Sequence, residues 1–221
     1  EPKHEPHTVS TIDFKQPVRA NGGRYVFRHR EQSFSKPVKK MQHQVQAVVN
    51  PPSSFINSDN NYVDFRIPDA VNGYLSDIEL EYTIANANAS DVTINSSAPW
   101  HIDRVEVLEN GNMLGDPVTS EELYLYNTVY LNDHELEKRQ PYTHIDNTTL
   151  ELDSSNNTVA GTDSEDYVLK LRTVLNAAKI VMSDVSGEIT IRIYSRNKTK
   201  WCDDANVSDL SLSQMKLFLT E

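Results

Sequence analysis

The sixteen residues PWHIDRVEVLENGNML, Pro99 to Leu114, bring His101, Asp103, Glu106 and Glu109 together. A histidine with carboxylates a few positions away is the raw material of a general base and its orienting partner, or of part of a metal site. Either chemistry needs more than those four residues. The chain has no Gly-x-Ser-x-Gly elbow, and its single cysteine, Cys202, sits in the loop CDDANVSD with no partner at a recognisable spacing. The seven histidines (His4, His7, His29, His43, His101, His134 and His144) form no His-Glu-x-x-His motif, and HEPH near the start is broken by Pro6. CDDANVSD also lacks the glycine and closing glutamate of an EF-hand, and neither a Gly-x-Gly-x-x-Gly nor a Walker loop occurs. No catalytic residue, metal ligand or cofactor is therefore expected.

Two other groupings carry chemical character. Asp77, Glu79 and Glu81 share one strand face, which suits a solvated sheet or a basic neighbour better than a cation site. Tyr124, Tyr126 and Tyr130 have helical spacing, which favours core or subunit contact over stacking on a sugar or base.

The elements that position these residues are mostly strands. QVQAVVN alternates Val45, Ala47 and Val49, and YVDFRIP puts Val63, Phe65 and Ile67 on one side. YLSDIELEYTIA has the cleanest period of two, with Ile78, Leu80, Tyr82 and Ile84 opposed to Asp77, Glu79, Glu81 and Thr83. DVTIN, DYVLKLRTVL, GEITIRIYSR and MKLFLTE continue the pattern, separated by turn clusters rich in Asn, Asp, Ser and Gly.

In RVEVLENGNML, Val105 and Val107 oppose Arg104 and Glu106, and Asn110-Gly111 predicts a type I′ hairpin. Trp100 and Ile102 have the wrong parity for that face, so either a bulge or a strand start near Asp103 is required. One segment, TSEELYLYNTVYLNDHELEKRQP, predicts a helix from Thr119, with Glu122 in capping-box spacing, to just before Pro141. A shorter helix is possible over LNAAKIVMSD. Many antiparallel strands with one inserted helix define an all-β chain, a β-sandwich rather than a parallel α/β sheet.

Composition narrows the class further. Of 221 residues, 38% are hydrophobic, enough for a core, while the mean hydropathy of −0.56 points to long polar loops. One cysteine excludes an intramolecular disulfide framework, and no apolar run approaches the roughly 20 residues of a membrane-spanning helix. Residues 1–43 carry nine Lys/Arg and four acids, a net of +5; the remainder carries twelve basic and 28 acidic residues, a net of −16. This divides the chain into a basic, largely irregular, proline-broken arm over 1–43 and a strand-rich domain over 44–221. Arg19, Arg24, Arg28, Arg30, Lys36, Lys39 and Lys40 are the arm's candidate contacts to phosphates, lipid headgroups or an acidic neighbour.

The order of these features resembles the jelly-roll capsid proteins of icosahedral viruses, in particular the upright barrels of the tailless, membrane-containing DNA virus lineage. The resemblance rests on PWHIDRVEVLENG, which follows the pattern P-x-x-I-x-x-V-E-V-L-x-N-G, and on LSLSQMKLFLT, which follows L-x-L-x-x-M-x-L-x-L-T. It covers roughly residues 44–221 and departs from the many lineage members that carry two barrels in one chain. It implies a single antiparallel jelly roll and a structural, non-enzymatic subunit of the virion. Its partners would be copies of itself and other capsid subunits, with genome phosphates or internal membrane headgroups meeting the arm, and it would take no small-molecule substrate. The alternative from the residues is a β-sandwich binding module for carbohydrate or receptor, with its site in loops such as 85–99 or 153–165.

Overall fold

The computed structural model describes residues 14–19, 25–30, 40–153 and 157–221. The chain divides into two units, Glu1–Lys39 and Lys40–Glu221. In the first, strand β1 (Phe14–Arg19) pairs antiparallel with β2 (Tyr25–Arg30), from Phe14 opposite Arg30 to Arg19 opposite Tyr25. Hydrophobic periodicity gives no hint of this hairpin, because Pro17 and the charged residues interrupt any alternation.

The second unit winds between two antiparallel sheets. Its strands are β3 (Gln42–Gln46), β4 (Tyr62–Arg66), β5 (Asp77–Asn86), β6 (Val92–Thr93), β7 (Ile102–Glu109), β8 (Asn112–Met113), β9 (Val118–Thr119), β10 (Thr158–Val159), β11 (Ser164–Lys170), β12 (Ile189–Ser195) and β13 (Leu210–Thr220). One sheet has the order β11-β5-β13-β3, the other β4-β12-β7-β8, with β9 also pairing β7; β6 and β10 form a separate two-residue ladder. Successive long strands mostly change sheet, which is the winding of a jelly roll.

The core is the space between the sheets. From the first sheet Ile78, Leu80, Ile84, Leu169, Leu217 and Leu219 point inward; from the second come Val63, Phe65, Val105, Ile191 and Ile193, all buried. Each such side chain contributes roughly 1.5–3 kcal/mol by leaving water.

The parity conflict in the strand after Trp100 is resolved by a bulge. Tyr194 pairs with Arg104 but Ser195 pairs with Ile102, so Asp103 is the extra residue. That brings Ile102 onto the same buried face as Val105 and Val107. β13 uses the same device: Leu212 pairs with Ile84 and Gln214 with Thr83, which leaves Ser213 over. Leu210 and Leu212 thereby share the inner face with Met215, Leu217 and Leu219 despite opposite parity. The Asn110-Gly111 turn forms as expected, with φ of 50° and 82° at the two residues.

The helical insertion differs from expectation in two respects: it holds two helices in place of one, and the second continues past Pro141. α1 (Ser120–Thr128) begins with the expected capping box, the Thr119 N–H donating to Glu122 Oε2 at 2.8 Å. It stops at Thr128, whose hydroxyl donates back to the Tyr124 carbonyl at 2.7 Å. Asn132 then caps α2 (Asp133–Thr143), its Oδ1 accepting from the Glu135 N–H at 3.0 Å. α2 runs through Pro141 and ends at His144, which is left-handed with φ of 54°. Of the second possible helix only one turn forms, α3 (Val174–Ala177), followed by a 3-10 turn at Met182–Asp184.

Candidate functional site

His101 closes the 3-10 turn Ala98–His101 and lies in the interior, buried like the Ile102 that follows it. Its Nδ1 is 2.9 Å from the Tyr82 hydroxyl, which donates in turn to the Ala98 carbonyl at 3.1 Å, so the imidazole is the donor between them. Its ring lies 4.2 Å from that of Trp201 and 5.0 Å from that of Tyr167. Tyr82 and Tyr167 are stacked at 5.1 Å, and the buried His144 lies 4.9 Å beyond Tyr167. Burial first, and His144 second, push the His101 pKa down to about 3, and burial pushes that of His144 down to about 4. Both rings are therefore neutral packing elements at neutral pH.

Asp103 and Glu106 do not reach this cluster. Both turn outward to Arg104, at 3.1 and 2.8 Å. The base-and-orienter arrangement that the sequence allows is thus split across the two faces of β7. Cys202 is buried, its Sγ 3.2 Å from the Thr93 carbonyl, and burial raises the thiol pKa, which keeps it protonated. Among the described residues no group of three or more His, Cys, Asp or Glu converges as a metal site would require. The buried His–Tyr cluster had no signature in the sequence, because periodicity does not distinguish a histidine on an inner face from one on an outer face.

The charged residues are organised on the outer faces. On the first sheet, Glu79 pairs with Arg139 from α2, Lys170 pairs with Asp77 at 3.1 Å and Glu135 at 3.2 Å, and Lys216 lies 3.7 Å from Glu81. The acidic row meets basic neighbours in its own chain. On the second sheet, Arg192 grips Asp64 through two bonds of 2.7 and 2.9 Å and lies 4.0 Å over the Tyr62 ring. Arg104 lies 3.6 Å over Tyr194. The carboxylates hold both guanidinium pKa values above their ordinary range: Glu106 does so for Arg104, Asp64 for Arg192.

Of the arm residues, Arg19 ends β1 opposite Tyr25, while Arg28 and Arg30 in β2 stand opposite Gln16 and Phe14. Lys40 is exposed at the start of the second unit; Arg24, Lys36 and Lys39 lie outside the described residues. Of the three tyrosines only Tyr124 turns away, its hydroxyl donating to the Leu150 carbonyl; the rings of Tyr126 and of Tyr130, just after α1 and 66% exposed, lie 6.3 Å apart.

Two antiparallel sheets in this order, joined by sheet-changing connections and carrying a helical insertion, define a capsid-type jelly roll. The solved structures most like it include VP54 of PBCV-1, fitted into a cryo-EM reconstruction of the virophage Sputnik, at TM-score 0.57 and 13% identity over 86% of this chain and 44% of that one. The Faustovirus major capsid protein matches at TM-score 0.52 and 11% identity over 86% of this chain and 56% of that one. The chain spans about half the length of the capsid proteins it matches. No protein-family model and no curated sequence matches it. The likeness is one of fold: the strand pattern alone predicts a β-sandwich, and the jelly roll is the form that the resemblance implied.

Proposed function

We propose that this chain is a structural subunit of a viral capsid, a jelly roll that self-assembles with copies of itself and with other capsid subunits to build an icosahedral shell in the virion. The observation that carries the reading is the two-sheet jelly roll, β11-β5-β13-β3 against β4-β12-β7-β8, together with its likeness in fold to capsid proteins over 86% of the chain. The interior supports a non-enzymatic role, since its histidines are spent on packing against Tyr82, Tyr167 and Trp201. Negative-stain microscopy and light scattering of the purified chain test the reading. Capsomers or lattice fragments are the expected result, and a monomer at every concentration and salt would overturn it.

The division into an arm over 1–43 and a barrel over 44–221 belongs to the same proposal, as do the arm's contacts. Arg19, Arg24, Arg28, Arg30, Lys36, Lys39 and Lys40 are assigned to genome phosphates, anionic headgroups or an acidic neighbour, because the arm carries +5 against −16 elsewhere. Replacing the seven with Gln is expected to abolish salt-sensitive binding to DNA or to anionic vesicles while the barrel's unfolding midpoint stays put. Unchanged binding to both would remove this assignment.

A further inference from the structure

The six arginines of the second unit divide five to one. Arg66 pairs with Glu188, Arg104 with Glu106, Arg139 with Glu79, Arg192 with Asp64, and Arg196 lies 3.9 Å from Asp103. Arg172 alone has no ion pair among the described residues. It is exposed, and its guanidinium lies 5.7 and 5.5 Å over the rings of Tyr126 and Tyr130. A cation laid on two rings is held in place before any partner arrives, so little side-chain freedom remains to be lost on contact.

Arg172 lies at a groove of about 680 Å³ between the loop before β9, helix α1 and helix α3, lined also by Asp116, Leu125 and Val174. Leu125, Val129 and Tyr130, on and just after α1, are 46%, 63% and 66% exposed. Three large apolar side chains left in water within six residues mark a contact surface, and tyrosine and arginine are the residue types that dominate such surfaces. Asp116, on the same groove, is likewise exposed and has no ion pair among the described residues.

We propose that this groove is a two-fold contact between copies of the chain, in which Arg172 of each copy meets Asp116 of the second copy while Leu125, Val129 and Tyr130 pack across the axis. The patch complements itself in charge, as a two-fold contact requires, because one groove carries the cation Arg172 and the carboxylates Asp116 and Glu122, none of them ion-paired among the described residues. The net −16 of residues 44–221 opposes the approach of a second copy, so a partly apolar patch that carries an arginine without an ion pair is where approach is least unfavourable. This rests on the reading of the chain as a self-assembling subunit.

Sedimentation velocity of the full chain over a range of concentrations tests it, with Arg172→Asp, Asp116→Arg and the double variant beside the native protein. Each single variant is expected to weaken self-association at least tenfold, and the charge-swapped double variant to recover most of the loss. Association of both single variants at native strength, or a double variant no better than either, would overturn the contact and leave the assembly reading standing. A native chain that stays monomeric throughout would overturn both. Because both side chains are exposed, unfolding midpoints should not move. If Arg172→Asp unfolds, Arg172→Gln serves in its place, with a several-fold weakening expected and native association counting against the contact.

Discussion

The outer face of the β11–β5–β13–β3 sheet and that of the β4–β12–β7 sheet are both rows of alternating charge, yet they hold their charges by different means. On the first, the row is pinned from above: α2 lowers Arg139 onto Glu79, and the two side chains keep only 16% and 24% exposure. On the second, the arginines lie flat on their own sheet, over Tyr62 and Tyr194, and the Arg66–Glu188 pair is about half in water. An ion pair partly removed from water is costly to break on one side only, because the remaining charge stays desolvated; an open pair loses little. The same residue types thus act as a clamp for an insertion on one face and as surface dressing on the other.

Substitutions that ignore the outer faces should erase this difference. Leu217→Ala and Ile191→Ala, in the cores of the two sheets, are each expected to cost about 2–5 kcal/mol in denaturant unfolding, with no systematic gap between them. A consistent gap would mean that the sheets are unequal inside as well as outside.

Acid comes next and acts from beneath the covered sheet. The folded-state pKa values of His101 and His144 lie near 3 and 4, below the ordinary 6.5. The unfolded chain therefore binds more protons, and stability falls as pH drops through 6.5 and goes on falling toward 4 and then 3. At pH 5 each histidine should cost roughly 2 kcal/mol relative to pH 7.5, read as a lower denaturation midpoint. His101→Phe is expected to flatten that dependence, and an unchanged slope would show that the ring titrates normally.

Glu79→Gln, which leaves Arg139 half-paired under α2, should cost about 2 kcal/mol and speed hydrogen exchange in α2 before the strands. Glu188→Gln on the second sheet, where the Arg66–Glu188 pair is about half in water, should cost less than about 1 kcal/mol, and salt should mask most of it. If the second exceeded the first, the contrast between the faces would be wrong.

Much of this architecture was legible in the residues. Period-two alternation located the long strands, and Asn110-Gly111 located the hairpin, because each signal is set within a few positions of itself. The conflict between Ile102 and Val105 left a bulge or a strand start near Asp103, and the bulge is the one that occurs. The identical conflict between Leu212 and Met215 carries the same message about Ser213, although alternation in MKLFLTE is unbroken only from Met215 onward. The split of the helical insertion turned on Asn132, whose side chain caps a new helix where hydrophobic spacing alone sees continuity. What the sequence could not show depends on the third dimension. The packing of His101 and His144 about Tyr167, and the lack of an ion pair to Arg172 among the described residues, exist only once distant strands have met.

The two bulges have a consequence for how this chain tolerates change. Each works like a shift of reading frame: Asp103 and Ser213 reset which side of the strand counts as inside. Deleting Ser213, an exposed serine whose replacement by another polar residue should pass almost unnoticed, would turn either Leu210 and Leu212 or Met215, Leu217 and Leu219 toward solvent. The identity of the residue there is nearly free, while its presence is not, so variation at these two points should take the form of substitution and never of length.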